Sequence, residues 1–342
     1  METISSPLFY MGNKLKLLPQ LKPLFPKNIN TLYDLFGGSG VVSLNVESKK
    51  TIYNELNPNI YEMFKLFKDY DYQEIIEHIN KRVEEFNLPT MSCDVRTKHY
   101  QEEYKKEHNK NYLKFRKFYN ESNRNYLDLY TLTFFSFCNL IRFNIKSEFN
   151  MPFGNRCYLK EHDQQISYAC YRLRKINIEL KNEEAISYIK DNFDKFEKDD
   201  FIYLDPPYLN TLAVYNEKRA FGGWNINNDY ELFELLEKLN KKGIKWGLSN
   251  VFQNKEYKNQ HLIEWCKKNN WNVNHLTCEY AALGKGNSNT DEVYICNYST
   301  PKQISIFDME NSNEIWNNRI IKQRELHSSW RYVNAWLWCS LY

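Results

Sequence analysis

Short apolar runs alternate with helical patterns in residues 31–68. TLYDLF and TIYNEL have the character of strands, and between them stand a Gly-rich turn, GGSG, and VVSLNVESK, which can start a helix. NPNIYEMFKLFKDY follows, with Ile60, Phe64 and Phe67 at helical spacing. This order of strand, turn, helix, strand and helix predicts a parallel α/β unit.

The same alternation returns near residue 198. It predicts a strand at FIYLD, a loop to about residue 228, the helix DYELFELLEKLNKK, the strand KWGLSN and the helix QHLIEWCKKN. Two further strand-like runs lie in NVNHLTCEYA and EVYICNY. The two α/β blocks share one sheet most economically, so we predict an α/β fold with the intervening residues inserted into it.

The inserted region has a different composition from both blocks. A helix is predicted over residues 73–86, and the region from about 94 to 160 is basic and aromatic, which favours helices and loops. From Arg96 to Lys160 there are 13 Lys or Arg against 6 Asp or Glu, a net +7, whereas the whole chain carries +3. This predicts one positively charged face; the alternative is a solvated helix surface.

Composition argues against several classes of protein. The 342 residues, 42% of them hydrophobic, suffice for one large domain or two unequal ones. The eight cysteines include no CxxC pair, which argues against a zinc site and a disulfide framework. The chain shows neither a signal peptide nor an apolar stretch of the roughly 20 residues that a membrane helix needs. We expect a cytoplasmic protein with no bound metal and no membrane association.

The turn in DLFGGSGVVSLN is the first candidate site. Glycines let a backbone approach a ligand closely, and the N-terminus of a helix follows the turn. The next strand ends in Glu55, which can accept hydrogen bonds from a ribose diol. The turn is neither a P-loop nor a GxGxxG pattern. The alternative is a turn that only packs a helix on a strand.

YLDPPY, residues 203–208, ends the strand FIYLD and so lies on the same edge of the sheet as GGSG. The prolines fix φ and force an extended path. They aim Asp205 and the Pro206 carbonyl at one point, beside the ring of Tyr208. Such an acceptor-rich pocket suits a planar ligand with an amino group, such as a base; the alternative is a purely structural turn.

With these motifs the chain resembles the Dam-type, α-group DNA adenine-N6 methyltransferases. The matching stretches, in the family's order, are FYMGNKLKLLPQL, DLFGGSG, YNELNPN, LIRFNIKSEFNMPFGNR, YLDPPY, WGLSN and TDEVYICNY. The resemblance implies a Rossmann-like, S-adenosylmethionine-dependent methyltransferase sheet with an inserted, mainly helical DNA-recognition domain. The implied domains are a discontinuous catalytic domain, a target-recognition domain and a tail of unknown role: residues 1–75 with 160–300, 76–159, and 301–342.

The resemblance also implies functional residues. Departures from the family's pattern are Tyr10, where Trp or Phe is frequent, Asn13, where a second Gly is frequent, and Glu55, where Asp is common. The implied catalytic residues are Asp205, Pro206, Pro207 and Tyr208. The implied S-adenosylmethionine-binding residues are Tyr10, Lys14, Asp34, Phe36, Gly37, Gly38, Ser39, Gly40, Glu55 and Asp205.

LIRFNIKSEFNMPFGNR is the segment in which the resembling family reads DNA. Arg142 matches the family's guanine-reading arginine, and such a bidentate contact gives roughly 1–3 kcal/mol of discrimination. Ser147 stands where many members have Gly. The implied DNA-binding residues are Phe137, Leu140, Arg142, Asn144, Asn150, Pro152 and Arg156.

The implied reaction is methylation of adenine N6 in double-stranded DNA, within GATC, by base flipping and direct displacement. Cytosine-N4 and protein-glutamine methyltransferases usually carry Ser or Asn in place of Asp205, which argues against them. An RNA adenine methyltransferase and a catalytically inactive DNA-binding regulator remain as alternatives. The sequence leaves open whether a cognate restriction endonuclease accompanies the chain.

KQISIFD, residues 302–308, resembles the peptide by which bacterial replication proteins bind the sliding clamp. Gln303, Ile306 and Phe307 match its spacing, with apolar anchors for a pocket and a polar residue for the register. The alternative is an ordinary edge strand.

Overall fold

The structure is a computed structural model that describes residues 3–10, 12–90, 98–209, 223–254, 257–277 and 290–301. The chain divides into two compact units, Met1–Ser299 and Thr300–Tyr342. The segment KQISIFD and almost all of the second unit lie outside the described residues.

The described strands form one sheet in the order β3-β2-β1-β4-β5-β8-β7, with β6 paired to β5. The five neighbouring strands β3, β2, β1, β4 and β5 run parallel, whereas β8 is antiparallel to β5 and to β7. The strand bounds are β1 Ile29–Asp34, β2 Ser48–Asn54, β3 Ile178–Lys181, β4 Phe201–Leu204, β5 Lys245–Asn254, β6 Tyr257–Lys258, β7 Asn272–Leu276 and β8 Thr290–Cys296.

Helices cover both faces of the sheet. Several begin at polar caps that the sequence supplies, among them Asn57 before α3 and Asn225 before α9, whose side chains accept backbone N–H groups. The helix bounds are α1 Leu18–Leu21, α2 Val41–Asn45, α3 Pro58–Asp69, α4 Tyr72–Glu85, α5 Lys98–Glu121, α6 Tyr126–Thr133, α7 Lys160–Lys175, α8 Ala185–Asp191, α9 Ile226–Lys242 and α10 Gln260–Asn269.

The four buried residues of β4 show how the two faces are filled. Phe201 and Tyr203 pack into one core with α1 and α2, whereas Ile202 and Leu204 pack into a second core with α8, α9 and α10. This alternation is the period-2 pattern of a strand buried on both sides. Because β1 and β4 pair in parallel, the residues that follow Asp34 and Leu204 meet at one edge of the sheet.

A third core joins the inserted helices to the sheet. It holds buried side chains of α3 to α7, and the ring of Phe67 in α3 contacts that of Tyr130 in α6 at 5.2 Å. Asp128 at the start of α6 is fully buried and accepts hydrogen bonds from His78 and Arg82 of α4. The first compact unit therefore includes the inserted helices, and the proposed boundary at residues 76–159 remains a prediction.

The predicted α/β fold is confirmed, with both blocks in one sheet, and α2 begins in VVSLNVESK as predicted. It ends after five residues because β2 begins at Ser48. Two details of the sequence prediction were wrong in position. The α/β pattern resumes before residue 198, since β3 and α8 precede it. The predicted loop to residue 228 ends earlier, because Asn225 caps α9.

None of the described helices is long and apolar enough to cross a membrane. The same residues include no group of three or more His, Cys, Asp or Glu side chains that could hold a metal ion.

Candidate functional site

The Gly-rich turn is held to strand β2 by three short hydrogen bonds. The N–H of Gly37 donates to the carbonyl of Asn54 at 2.8 Å, and the N–H of Gly38 donates to Oε2 of Glu55 at 2.8 Å. The hydroxyl of Tyr53 donates to the carbonyl of Gly38, also at 2.8 Å. The turn and the acid at the end of β2 thus form one rigid unit.

Two of the glycines are required by packing as well as by the turn. A Cβ on Gly37 would stand 2.3 Å from the ring of Tyr53, and one on Gly40 would stand 2.2 Å from the ring of Phe64. Gly40 also has a φ of +76°, in the left-handed region that favours glycine. The structure thus shows that the turn packs a helix on a strand, whereas the approach of a ligand to its backbone remains a prediction.

Asp34 lies buried at the end of β1. Its Oδ2 accepts hydrogen bonds from the hydroxyl and the N–H of Ser43 in α2, at 2.7 and 3.2 Å. Burial is the main cause that raises the pKa of Asp34 to about 7, and the negative charge of Asp205 adds to it.

Asp205 stands one strand away, directly after β4. Its Oδ2 forms a salt bridge with Nζ of Lys14 at 2.6 Å, and its Oδ1 accepts a hydrogen bond from the hydroxyl of Tyr208 at 3.1 Å. Burial raises the pKa of Asp205, and the charge of Lys14 opposes that rise. The ammonium group of Lys14 also lies over the Tyr208 ring, 5.3 Å from its centroid.

A cavity of about 350 Å³ connects these groups. Gly40, which caps α2, does not line it. The other proposed cofactor-binding and catalytic residues do: Tyr10, Lys14, Asp34, Phe36, Gly37, Gly38, Ser39, Glu55, Asp205, Pro206, Pro207 and Tyr208. Their roles remain predictions, but the structure brings them to one place.

The cavity also has walls that sequence reasoning missed. Trp224 packs edge-on against Phe36, with ring centroids 5.5 Å apart. Glu184 caps α8 through hydrogen bonds from the N–H groups of Ile186 and Ser187. Its position after the unpredicted strand β3 explains the omission. Further lining residues include Leu56, Asn57, Glu184, Ala185, Trp224 and Asn225.

The proposed DNA-binding residues lie elsewhere, on residues 136–156. Isolated bridges join Ser136 to Phe153 and Phe143 to Phe149, so the segment folds back on itself as an irregular hairpin. Gly154 permits this closure, since a Cβ there would stand 2.4 Å from the carbonyl oxygen of Ser136. The hairpin was predicted only as helices and loops.

Arg142 is held within the hairpin by Asn150. Its Nε donates to the side-chain oxygen of Asn150 at 2.8 Å, and its Nη2 donates to the carbonyl of the same residue at 3.0 Å. Asn144 fixes the tip, because its side-chain oxygen accepts the N–H groups of Lys146 and Glu148, both at 2.9 Å. Asn150 therefore fixes the orientation of the Arg142 guanidinium.

The rest of the segment places further residues at the surface. Phe137, Pro152 and Arg156 are exposed, while Leu140 is half-buried. Phe137 precedes two residues with positive φ, Cys138 at 54° and Asn139 at 56°, a sparsely populated conformation outside glycine. None of the proposed DNA-binding residues lines the cavity.

The hairpin is fastened to the basic helix α5. The Tyr112 hydroxyl and the Arg116 guanidinium both donate to the carbonyl of Met151, at 3.0 Å each. Asn120 exchanges two hydrogen bonds with the backbone of Phe149. The predicted basic region thus supports the segment that carries the candidate DNA-binding residues.

Comparison with known proteins gives a consistent result. The family model of the D12 class N6 adenine-specific DNA methyltransferases matches residues 10–277. The modification methylase StsI of Streptococcus sanguinis is 38% identical over 87% of this chain and 43% of its own length. The type II methyltransferase M.FokI of Planomicrobium okeanokoites is 35% identical over 86% of this chain and 43% of its own. A DNA adenine methylase of Haemophilus influenzae is 27% identical over 64% of this chain and 68% of its own.

The chain thus spans less than half the length of the first two of these relatives.

Proposed function

This chain belongs to the D12 class of N6 adenine-specific DNA methyltransferases, and we propose that it methylates the N6 amine of adenine at a specific site in duplex DNA. The proposal rests on one observation: residues of the YLDPPY corner and of the Gly-rich turn line the same cavity. The corner supplies acceptors for an amine, and the turn supplies a backbone that a second ligand can approach.

The D12 class uses S-adenosylmethionine as its methyl donor, and the residues of the cavity fit that molecule. Asp34, Glu55, Glu184 and Asp205 make the lining rich in carboxylates, which suits a ligand that carries a sulfonium and an ammonium charge. Glu55 is fixed at the end of β2, where it can accept hydrogen bonds from a ribose. When bound, the donor supplies an electrophilic methyl group.

The target amine lies inside a base stack, so the base must leave the duplex before Asp205 can reach it. Asp205 and the Pro206 carbonyl would then accept its two N–H groups, with the base against the ring of Tyr208. Lys14 donates to the same Asp205 carboxylate that is proposed to accept the amine. Lys14 must therefore shift or share this carboxylate when the base enters. These fixed acceptors favour the transition state because positive charge develops on the amine nitrogen.

We assign the reading of a guanine to Arg142. Its bonds to Asn150 occupy Nε and one N–H of Nη2, which leaves the outer edge of the guanidinium available for O6 and N7 of guanine. The proposed target is GATC or a longer site that contains GAT. This specificity rests on the resemblance of the hairpin residues to GATC-reading proteins.

The names of the relatives support a restriction–modification role. The two at 38% and 35% identity are named as a modification methylase and a type II methyltransferase, whereas the DNA adenine methylase shares 27%. We therefore propose that a cognate restriction endonuclease cuts the site that this chain protects. Binding to a sliding clamp through Gln303–Phe307 also remains a proposal. A pull-down with purified clamp tests it, because Gln303→Ala with Phe307→Ala should abolish capture.

Transfer of a labelled methyl group from S-adenosylmethionine to duplex DNA tests the proposed function. The wild type should methylate adenine, and sequencing of a treated genome should place the methyl groups within GATC or GAT-containing sites. Asp205→Ala should lose transfer by a factor of about 10³ or more while retaining its fold, because the acceptor for the amine is gone. Asp194→Ala, at an exposed carboxylate away from the cavity, is the matched control and should retain activity. Full activity of Asp205→Ala would reject the mechanism, and transfer to RNA alone would reject the substrate.

A further inference from the structure

A chain of three side chains connects helix α10 to the wall of the cavity. The indole Nε1 of Trp224 donates to Oδ1 of Asp229 at 2.7 Å. Nε2 of His261 lies 2.7 Å from Oδ2 of the same carboxylate. Asp229 is only 2% exposed, so both of its oxygens find their partners inside the protein. A buried carboxylate needs such donors, because leaving it unsatisfied would be costly.

The three residues come from separate places in the sequence. Trp224 precedes α9, Asp229 lies in the first turn of α9, and His261 lies in the first turn of α10. The His261 ring is packed in turn between those of Tyr230 and Phe233, at 5.7 and 6.1 Å. The position of the indole is therefore determined by side chains of α9 and α10, and neither Asp229 nor His261 lines the cavity.

Trp224 is the member of this chain that lines the cavity, where it packs edge-on against Phe36. Because its N–H is engaged by Asp229, the ring contributes an apolar surface to the cavity rather than a donor. Such a surface suits the heteroaromatic ring of a ligand, since stacking and edge contacts of rings add to the area that they bury.

We propose that Asp229 and His261 are positioning residues that hold Trp224 as an aromatic wall for the adenine ring of the methyl donor. The proposal rests on the proposed function, because it takes S-adenosylmethionine as the ligand of the cavity. The competing explanation is purely structural: Asp229 and His261 tie α9 to α10, and the indole follows passively. The two explanations differ in whether the effect of Asp229 on donor affinity depends on the indole N–H.

A double-mutant cycle with S-adenosylhomocysteine as the probe distinguishes them. Isothermal titration of the full chain compares the wild type, Asp229→Ala, Trp224→Phe and the double variant. We expect Asp229→Ala to raise the dissociation constant about tenfold and Trp224→Phe about fivefold, with kcat at saturating donor changed less than about threefold. In the double variant the constant should stay within about twofold of Trp224→Phe, because the indole N–H is already absent.

Two further variants control for folding and for the loss of any His–Asp pair. His261→Ala should also raise the dissociation constant, as Asp229→Ala does. If Asp229→Ala does not fold, His261→Ala takes its place in the double-mutant cycle with Trp224→Phe. His275→Ala breaks a second pair, in which Nδ1 of His275 lies 2.7 Å from Asp291, outside the cavity lining. It should leave the dissociation constant unchanged.

Additive effects in the double variant, or unchanged affinity in Asp229→Ala and His261→Ala, would overturn the positioning role while leaving the proposed function intact. Failure of the wild type to bind the probe at all would instead reject the proposed cofactor site and this proposal with it.

Discussion

Lys14 and Asp205 illustrate how a single ion pair sets the chemistry of the cavity. Burial raises the pKa of Asp205 and the ammonium of Lys14 opposes that rise, at a distance of 2.6 Å. In the proposed mechanism Asp205 must be ionised to accept one N–H group of the amine and to stabilise the developing positive charge. The ammonium of Lys14 favours this ionised form, even though it must yield to the incoming base.

Replacing Lys14 by Met tests this role. The variant should have a higher Asp205 pKa than the wild type, so its methyl transfer should rise with pH through a higher midpoint. At pH 7 we expect turnover to fall, because without the ammonium charge a larger fraction of Asp205 is protonated. Rates measured from pH 5.5 to 9 give the midpoint, and the exposed Lys22→Met is the control. An unchanged midpoint in Lys14→Met would contradict the role.

Asp34 makes a second pH-dependent contribution, to stability rather than to turnover. Its folded-state pKa of about 7 lies above the ordinary value of 3.8, so the folded protein binds this proton more tightly than the unfolded chain does. The contribution of Asp34 to the unfolding free energy therefore falls as pH rises from about 4 to 7 and stays low above that.

Asp34→Asn removes this titration while keeping an oxygen for Ser43. The unfolding free energy of the variant minus that of the wild type should therefore increase between pH 5 and pH 8, by on the order of 1–3 kcal/mol. Urea unfolding of the ligand-free proteins at both pH values measures the difference. A difference between the two proteins that does not change with pH would show that Asp34 does not titrate in this window.

At the scale of elements, the hairpin of residues 136–156 presents Arg142 in a fixed orientation, and substitutions test whether it reads a base or only contributes to general DNA binding. Arg142→Ala should reduce discrimination at the guanine by about 10- to 100-fold, since a bidentate contact gives roughly 1–3 kcal/mol. Lys146→Ala, at an exposed cation of the hairpin tip, should weaken binding to all sequences alike. The ratio of kcat/KM for duplexes with and without the guanine measures both. If Arg142→Ala lowers kcat/KM equally on every sequence, Arg142 contacts a phosphate rather than the guanine.

The elements also show what the sequence could predict. Strands β1, β2, β4 and β5 were anticipated because central parallel strands are continuous apolar runs. Strand β3 was not predicted, because it is an edge strand of four residues, IELK, in which apolar and polar residues alternate. The hairpin was not predicted because its pairing is limited to two isolated bridges, Ser136–Phe153 and Phe143–Phe149, with no strand-length run of alternating residues.

The same distinction applies to the candidate site. Asp34, Glu55 and Asp205 could be placed together from sequence, because parallel strands bring their carboxyl ends to one edge. Trp224 could not, because its position depends on the hydrogen bond that its indole N–H donates to Asp229 and on packing against Phe36. Tertiary contacts between distant segments leave no periodic signal in the sequence.

At the scale of the whole molecule, the cavity and the hairpin of residues 136–156 both belong to the first compact unit, Met1–Ser299. All three apolar cores described above also lie within it. The family match, residues 10–277, ends inside the same unit. One unit therefore contains every described residue that the proposed reaction requires.

A chain ending at Ser299 tests whether this unit suffices. We expect it to bind S-adenosylhomocysteine with an unchanged dissociation constant and to methylate duplex DNA within about threefold of the full chain, because every described residue of either site is retained. Its melting temperature should shift by less than about 4 °C, which corresponds to roughly 1–2 kcal/mol for a domain of this size. Calorimetry and the labelled-methyl assay measure these quantities, with Asp205→Ala in the shortened chain as the inactive control. Loss of methylation with intact donor binding would show that residues 300–342 take part in DNA engagement.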